Sequence, residues 1–193
     1  RLPRAIRDVY KRQPPDHIVH WPLIFRNPQP RWHSPAGRII QVGDAAHTFL
    51  PTSGNGATQA IEDAITIAEC LKQAGKSEHT HAVKTHNLLR FDRVSCAQRL
   101  GWENDERFHR ADFSKGPTDL TKVQARVPKW IFTHDPEQYA VDNYAKAAAS
   151  VEDGTDFHNT NIPPGHVPTL WTMEEVLALE AEGKKFELSG DWS

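Results

Sequence analysis

Residues 37–71 set a short apolar run, a Gly-Asp pair, a loop rich in proline and glycine, and an alanine-rich amphipathic segment in direct succession. The run Gly37-Arg38-Ile39-Ile40-Gln41-Val42 is short and β-branched and is closed by Gly43, which predicts a strand over Arg38–Val42. After Gly56, the residues Ala57, Ala60, Ile61, Ala64, Ile65, Ala68 and Leu71 recur at three- and four-residue steps, while Glu62, Asp63 and Glu69 fall elsewhere. That period predicts a helix whose alanine stripe is buried closely against a sheet and which stops near Gly75. The expected fold class is α/β, or α+β for a fragment, and helix-rich after one core strand.

The same order fixes the chemistry on offer. Asp44 follows the strand directly, and side chains at the carboxyl ends of strands in open α/β sheets face the ligand crevice. An ionised carboxylate there accepts hydrogen bonds from sugar-like hydroxyls, each contributing about 1.5–3 kcal/mol. The bland alternative is a turn aspartate that caps a backbone amide. In Pro51-Thr52-Ser53-Gly54-Asn55-Gly56, glycines expose backbone amides just where a helix begins. Unpaired N–H groups and the helix dipole make such a start a site for an anion or an electron-rich ring edge. No dinucleotide fingerprint is present here, because Gln59 stands where the third glycine would belong.

Composition excludes other classes. Across 193 residues the formal net charge is -2, which favours neither nucleic acid nor an anionic membrane as partner. No apolar run approaches membrane-spanning length, so a cytoplasmic setting is expected. Hydrophobic residues make up 38% of the chain and there are 14 prolines, which points to plentiful loops around a modest core. Cys70 and Cys96 suggest neither a metal site nor a disulfide scaffold. The chain opens on Arg1 with no signal-like segment, which reads as a fragment or a processed start.

Elsewhere the signals are plainer. Ile18 to Phe25 is β-prone but carries Pro22, so an edge or broken strand is expected. A second helix is expected from Thr80 to His109, bent near Gly101, with Arg90, Asp92, Arg93, Gln98 and Arg99 as a solvated charged face. Asp135 and Pro136 open a further helix that runs to Ala149, and Thr172 with Glu175 forms a capping box for another that runs to Gly183. The residues Asp44, His47 and Ser53 are too local for a catalytic triad, and His47 reads as a structural histidine near a turn. His79, His81 and His86 lack a fourth ligand type, so no metal is expected. Trp102 and Trp130 read as packing residues.

Gly43-Asp44-Ala45-Ala46-His47, then Leu50-Pro51, then Gly54-x-Gly56, then Ala60-Ile61-Glu62-Asp63-Ala64 resemble, in order and spacing, the second flavin-binding motif of the FAD-dependent aromatic hydroxylases, of the para-hydroxybenzoate or salicylate hydroxylase type. Arg38 fits the family's lead-in to the strand, and Trp130 to Tyr139 resembles a C-terminal part of a fungal subset, more softly. The resemblance implies the C-terminal part of an FAD-binding, Rossmann-like hydroxylase fold. It implies FAD as cofactor, NAD(P)H as reductant, and O2 and a small aromatic molecule as substrates. It implies cofactor contacts from Gly43, Asp44, Pro51, Ser53, Gly54, Asn55 and Gly56: Asp44 on the ribityl chain, Pro51 beside the isoalloxazine ring, and the backbone from Ser53 to Gly56 at its pyrimidine edge. Asn55 stands where the family commonly has Gln. No catalytic side chain is identified.

The family's N-terminal GxGxxG unit and its mid-chain Asp-Gly motif are absent from these residues. Residues 1–36 are therefore expected to end a substrate-binding sheet, residues 37–112 to complete the FAD-binding domain, and residues 113–193 to form an extension. A chain of this kind is expected to be inactive alone. The alternative is an inactive remnant or interaction module that retains the flavoprotein fold. Oligomeric state stays open, a homodimer among the options.

Overall fold

The computed structural model describes residues 22–109 and 124–193. Its helices are α1 (Gly56–Ala74), α2 (His79–His109), α3 (Lys129–Phe132), α4 (Pro136–Asp153) and α5 (Met173–Ala181), with 3-10 turns at Gly43–Ala45 and Pro51–Ser53. The expected strand around Ile18 and most of the 1–36 segment lie outside the described residues.

Local signals place the helix ends well. Asp135 caps α4 by accepting the Gln138 N–H, with Pro136 in the first turn. Thr172 and Glu175 close a reciprocal capping box on α5. The helix α2 runs unbroken through Gly101. It is the spine of the molecule. Its Ala82 and Leu89 share an apolar cluster with Cys70 of α1 and with Ala140, Tyr144 and Ala147 of α4. Further along, Cys96, Ala97 and Leu100 pack on Trp130, Ile131, Ile162 and Trp192. Val94 meets Trp32 and Ala46, which lie on either side of the expected strand.

That strand is the first departure. Among the described residues, Arg38–Val42 belongs to no ladder, and one isolated antiparallel bridge joins His33 to Ile40. The Ser34 N–H donates to the Ile39 carbonyl at 2.9 Å, and the Gln41 N–H to the Trp32 carbonyl at 2.7 Å. A strand needs neighbours on its edges. Here Ile39 and Val42 project outward instead, 68% and 40% exposed. The described residues are thus helix-dominated, and the sheet half of the α/β expectation reduces to this bridge.

The second departure is larger. The helix α1 has the expected period but the opposite face inward. Its buried residues are Gln59, Glu62, Asp63, Thr66, Glu69 and Cys70. Ala57, Ala64 and Ala68 are exposed, and Ile61 and Leu71 are 61% and 42% exposed. The charged face of α2 is likewise buried rather than solvated, with Arg90, Arg93, Gln98 and Arg99 all at 5% exposure or less. Each inversion explains the other. Buried charges persist only when paired and hydrogen-bonded.

The pairing is dense. Glu62 accepts Arg93 Nε at 2.8 Å and Nη2 at 2.9 Å, a bidentate fork, and Arg90 Nη1 at 2.5 Å. Asp63 accepts Arg90 Nε at 2.9 Å. Arg90 Nη2 also reaches the side-chain oxygen of Gln59 at 2.8 Å. Arg93 spends its remaining donors on backbone: Nη1 on the carbonyls of Trp130 (2.6 Å) and Asn161 (2.9 Å), and Nη2 on that of Ile131 (3.0 Å). Helices α1, α2 and α3 and the loop at Asn161 are therefore joined through one guanidinium.

Two expectations follow for the full-length protein. Arg93→Ala leaves Glu62 short of its fork partner and removes the guanidinium donors from the carbonyls of Trp130, Ile131 and Asn161. It should destabilise by about 3–5 kcal/mol, read as a lower urea midpoint, and Arg93→Lys should recover only part, because an ammonium cannot reproduce the fork.

The second concerns acid. Burial pushes the Asp63 carboxyl up, but hydrogen bonding to His47, the Arg90 charge and the Gly43 amide outweigh it and hold the group at about 2, below its usual 3.8. Burial likewise raises and the two arginines lower Glu62, with a net shift below 4.5. Both carboxylates stabilise the fold above their unfolded values and lose that contribution as pH falls from about 4.5 towards the folded values. His86 is buried with both ring nitrogens unpartnered. Burial lowers its pKa from 6.5 to about 3. The unfolded chain therefore takes up a proton below about pH 6.5 that the folded core refuses, and stability falls on that side too. Urea midpoints should decline below about pH 6.5 and fall steeply below about pH 4.5, and His86→Leu should flatten the upper part of that decline.

Candidate functional site

The turn after the extended segment is built on Gly43. Its φ is +56°, a conformation that L side chains rarely adopt, and a Cβ there would sit 3.1 Å from Ala60 of α1. The Gly43 carbonyl accepts the N–H groups of Ala46 and His47, both at 2.9 Å, which closes the 3-10 turn. The Gly43 N–H points the other way, into α1, and donates to Asp63 Oδ2 at 2.9 Å. Between these anchors Asp44 is turned outward and exposed, and no hydrogen bond to its carboxylate is recorded among the described residues.

The second half of the site is the loop into α1. Pro51–Ser53 forms a 3-10 turn ended by Gly54 at φ +63°. Ser53 and Asn55 are each 6% exposed. Asn55 folds its amide onto the Ser53 carbonyl at 3.0 Å, so it braces the loop rather than capping the helix. The start of α1 has no side-chain cap. Its first-turn N–H groups remain available as donors, and the helix dipole adds positive potential. The loop is seated on α2 at Gly101, where any Cβ would lie 2.7 Å from that of Ser53. That close approach accounts for the glycine.

Of the sequence-derived candidates, Asp44, Pro51 and Gly54 are exposed, Gly56 is half-buried, and Gly43, Ser53 and Asn55 are buried. Residues of α1 unite the two clusters, because Gly43 rests on Ala60 while Gly56 begins the same helix. A hollow between α2 and the C-terminal loops, lined in part by Cys96, Arg99, Trp171 and Phe186, shares no residue with this surface.

Sequence reasoning missed the residues beneath the turn. His47 is buried as a structural histidine, and its Nε2 lies 2.5 Å from Asp63 Oδ2. An ionised carboxylate only accepts, so the proton lies on Nε2. Asp63 lies off the apolar stripe of α1, yet it is fully buried. The available signal was the match between Glu62-Asp63 on one helix and Arg90 and Arg93 on the next. Trp130 packs in the core, and Trp102 packs edge-on against Phe25 with ring centroids 6.0 Å apart. Among the described residues no three His, Cys, Asp or Glu side chains converge to hold a metal.

Residues 27–87, which contain the turn, the loop and α1, match the family model described as an FAD binding domain. The chain is 49% identical over 192 residues to FAD-dependent monooxygenase mdpD of Emericella nidulans, covering 98% of this chain and 37% of the relative. It is 45% identical over 193 residues to FAD-dependent monooxygenase fsr3 of Gibberella fujikuroi, covering 98% and 37%. The chain thus spans 37% of the length of each of these relatives. Among solved structures, it is similar to CtdE in complex with FAD and a substrate, with a TM-score of 0.63 and 39% identity over 68% of this chain and 31% of that one. It is also similar to FqzB, with a TM-score of 0.66 and 30% identity over 73% and 33%. Along nearly its whole length the chain is thus similar to part of the FAD-dependent monooxygenases, and residues 27–87 match the FAD binding domain model.

Proposed function

We propose that this chain supplies the flavin-facing C-terminal part of a monooxygenase that hydroxylates an aromatic or related small organic substrate with NAD(P)H and O2. The observation that carries the proposal is Asp44, an exposed carboxylate with no side-chain hydrogen bond among the described residues, held on a glycine turn that is itself anchored from below.

The residues fit FAD. A free carboxylate is the acceptor that ribityl hydroxyls require. The uncapped start of α1 offers N–H groups and positive potential to the electron-rich edge of a flavin ring. At Gly54 the space around an added Cβ is open to 4 Å, which leaves room for a planar ring beside Pro51. When bound, FAD supplies the redox centre that takes electrons from NAD(P)H and delivers them to O2. The protein's own share is to bind, orient and electrostatically bias that group, and no side-chain nucleophile is needed. The stripe of Ala57, Ile61, Ala64 and Ala68 adds support. It is exposed and made mostly of small residues, so it suits close packing against the remainder of an FAD-binding fold.

In the full-length protein, Asp44→Ala should weaken FAD binding about ten-fold or more, the equivalent of one charge-assisted hydrogen bond. Titration of the apoprotein with FAD, followed by flavin fluorescence, measures it. Unchanged affinity would remove Asp44 from the cofactor site.

A further inference from the structure

We propose that Asp63 and His47 are positioning residues for the flavin: they act through the Gly43–His47 turn to fix where Asp44 presents its carboxylate. The proposal deepens the flavin reading and rests on it.

The geometry closes a ring around the turn. From Gly43 the N–H runs to Asp63 Oδ2 at 2.9 Å. From the other end, His47 Nε2 reaches the same oxygen at 2.5 Å. The ring is completed through the backbone, because the His47 N–H donates to the Gly43 carbonyl at 2.9 Å. Asp44 lies between the two anchored residues and adds no side-chain bond of its own. Its direction is therefore set by what grips Gly43 and His47.

The grip is unusually well specified. Asp63 and His47 are 0% and 1% exposed, so water competes for neither. The other oxygen of Asp63 is held by Arg90 Nε at 2.9 Å. The carboxylate thus meets donors on both oxygens, from a turn, a ring and a neighbouring helix. An amide of the same shape cannot do this. Asn at position 63 would turn its NH2 either on Arg90 or on Gly43 and His47, and leave a buried donor facing a donor. Ala60, one turn before Asp63 on the same helix, would lie 3.1 Å from a Cβ added at position 43, so the turn sits close against α1. A shift of the turn is thus resisted by α1 through both the Ala60 contact and the Asp63 carboxylate.

His47 separates this role from mere packing, because its volume and its donor can be removed independently. His47→Gln keeps an N–H donor at the end of the side chain, whereas His47→Leu fills the space and has none. Asp63→Asn is the direct variant but carries a greater risk to folding, so the His47 pair bears the test. In the full-length protein, FAD affinity should fall about ten-fold for His47→Leu and stay within about three-fold of the parent for His47→Gln, with altered visible circular dichroism of the bound flavin in the Leu variant alone. The second arm is a double-mutant cycle with Asp44→Ala. If His47 acts through Asp44, the effect of His47→Leu should shrink to about two-fold or less in the Asp44→Ala background. Equal affinities for the Gln and Leu variants, or full additivity in the cycle, overturn the positioning role. Asp44→Ala binding FAD as the parent does would instead overturn the flavin reading itself, which keeps the two failures distinct.

Discussion

The rest of the structure hangs on a buried set of four charges, Glu62 and Asp63 of α1 against Arg90 and Arg93 of α2. Each carboxylate is desolvated and every guanidinium nitrogen has an acceptor, so the set is tolerable only when complete. It therefore fixes register. Sliding α1 by one residue would bring Ile61 or Asp63 where Glu62 forks Arg93, and would leave a charge without a partner. Apolar contacts between the helices, centred on Cys70, Ala82 and Leu89, are too few and too small to specify that register alone.

The same set reaches outward in two directions. On one side Asp63 passes through its second oxygen to Gly43 and His47, and so to the exposed aspartate. On the other, Arg93 ends on the carbonyls of Trp130, Ile131 and Asn161. The C-terminal loops are thereby tied to the turn through an unbroken series of hydrogen bonds across two helices. Residues 124–193 thus help to hold the helix on which the turn rests, although they supply none of the candidate cofactor contacts.

Much of the local structure was legible in the residues themselves. Pro136 after Asp135, and Thr172 with Glu175, announce helix starts because capping depends on groups only a few positions apart. The turn at Gly43 and the loop at Gly54–Gly56 were legible for the same reason, and both glycines at 43 and 54 adopt positive φ. The faces of α1 and α2 were not. Polarity normally reports the side that faces water, and here the polar sides face each other. Arg38–Val42 has the residues of a strand but forms one bridge among the described residues, because a β-branched run becomes a sheet strand only where neighbouring strands exist.

By itself the sequence determined the periods of the helices, their caps, the order of turn, loop and helix, and the motif that marks the flavin-binding kinship. These follow from backbone sterics and from hydrogen bonds within a few residues. Only the tertiary structure decided which side of α1 is core, and with it that Asp63 and His47 lie under the turn rather than in solvent. The reason is that a buried carboxylate is stable only opposite particular cations, and those cations lie on another helix, where no local pattern can specify the match.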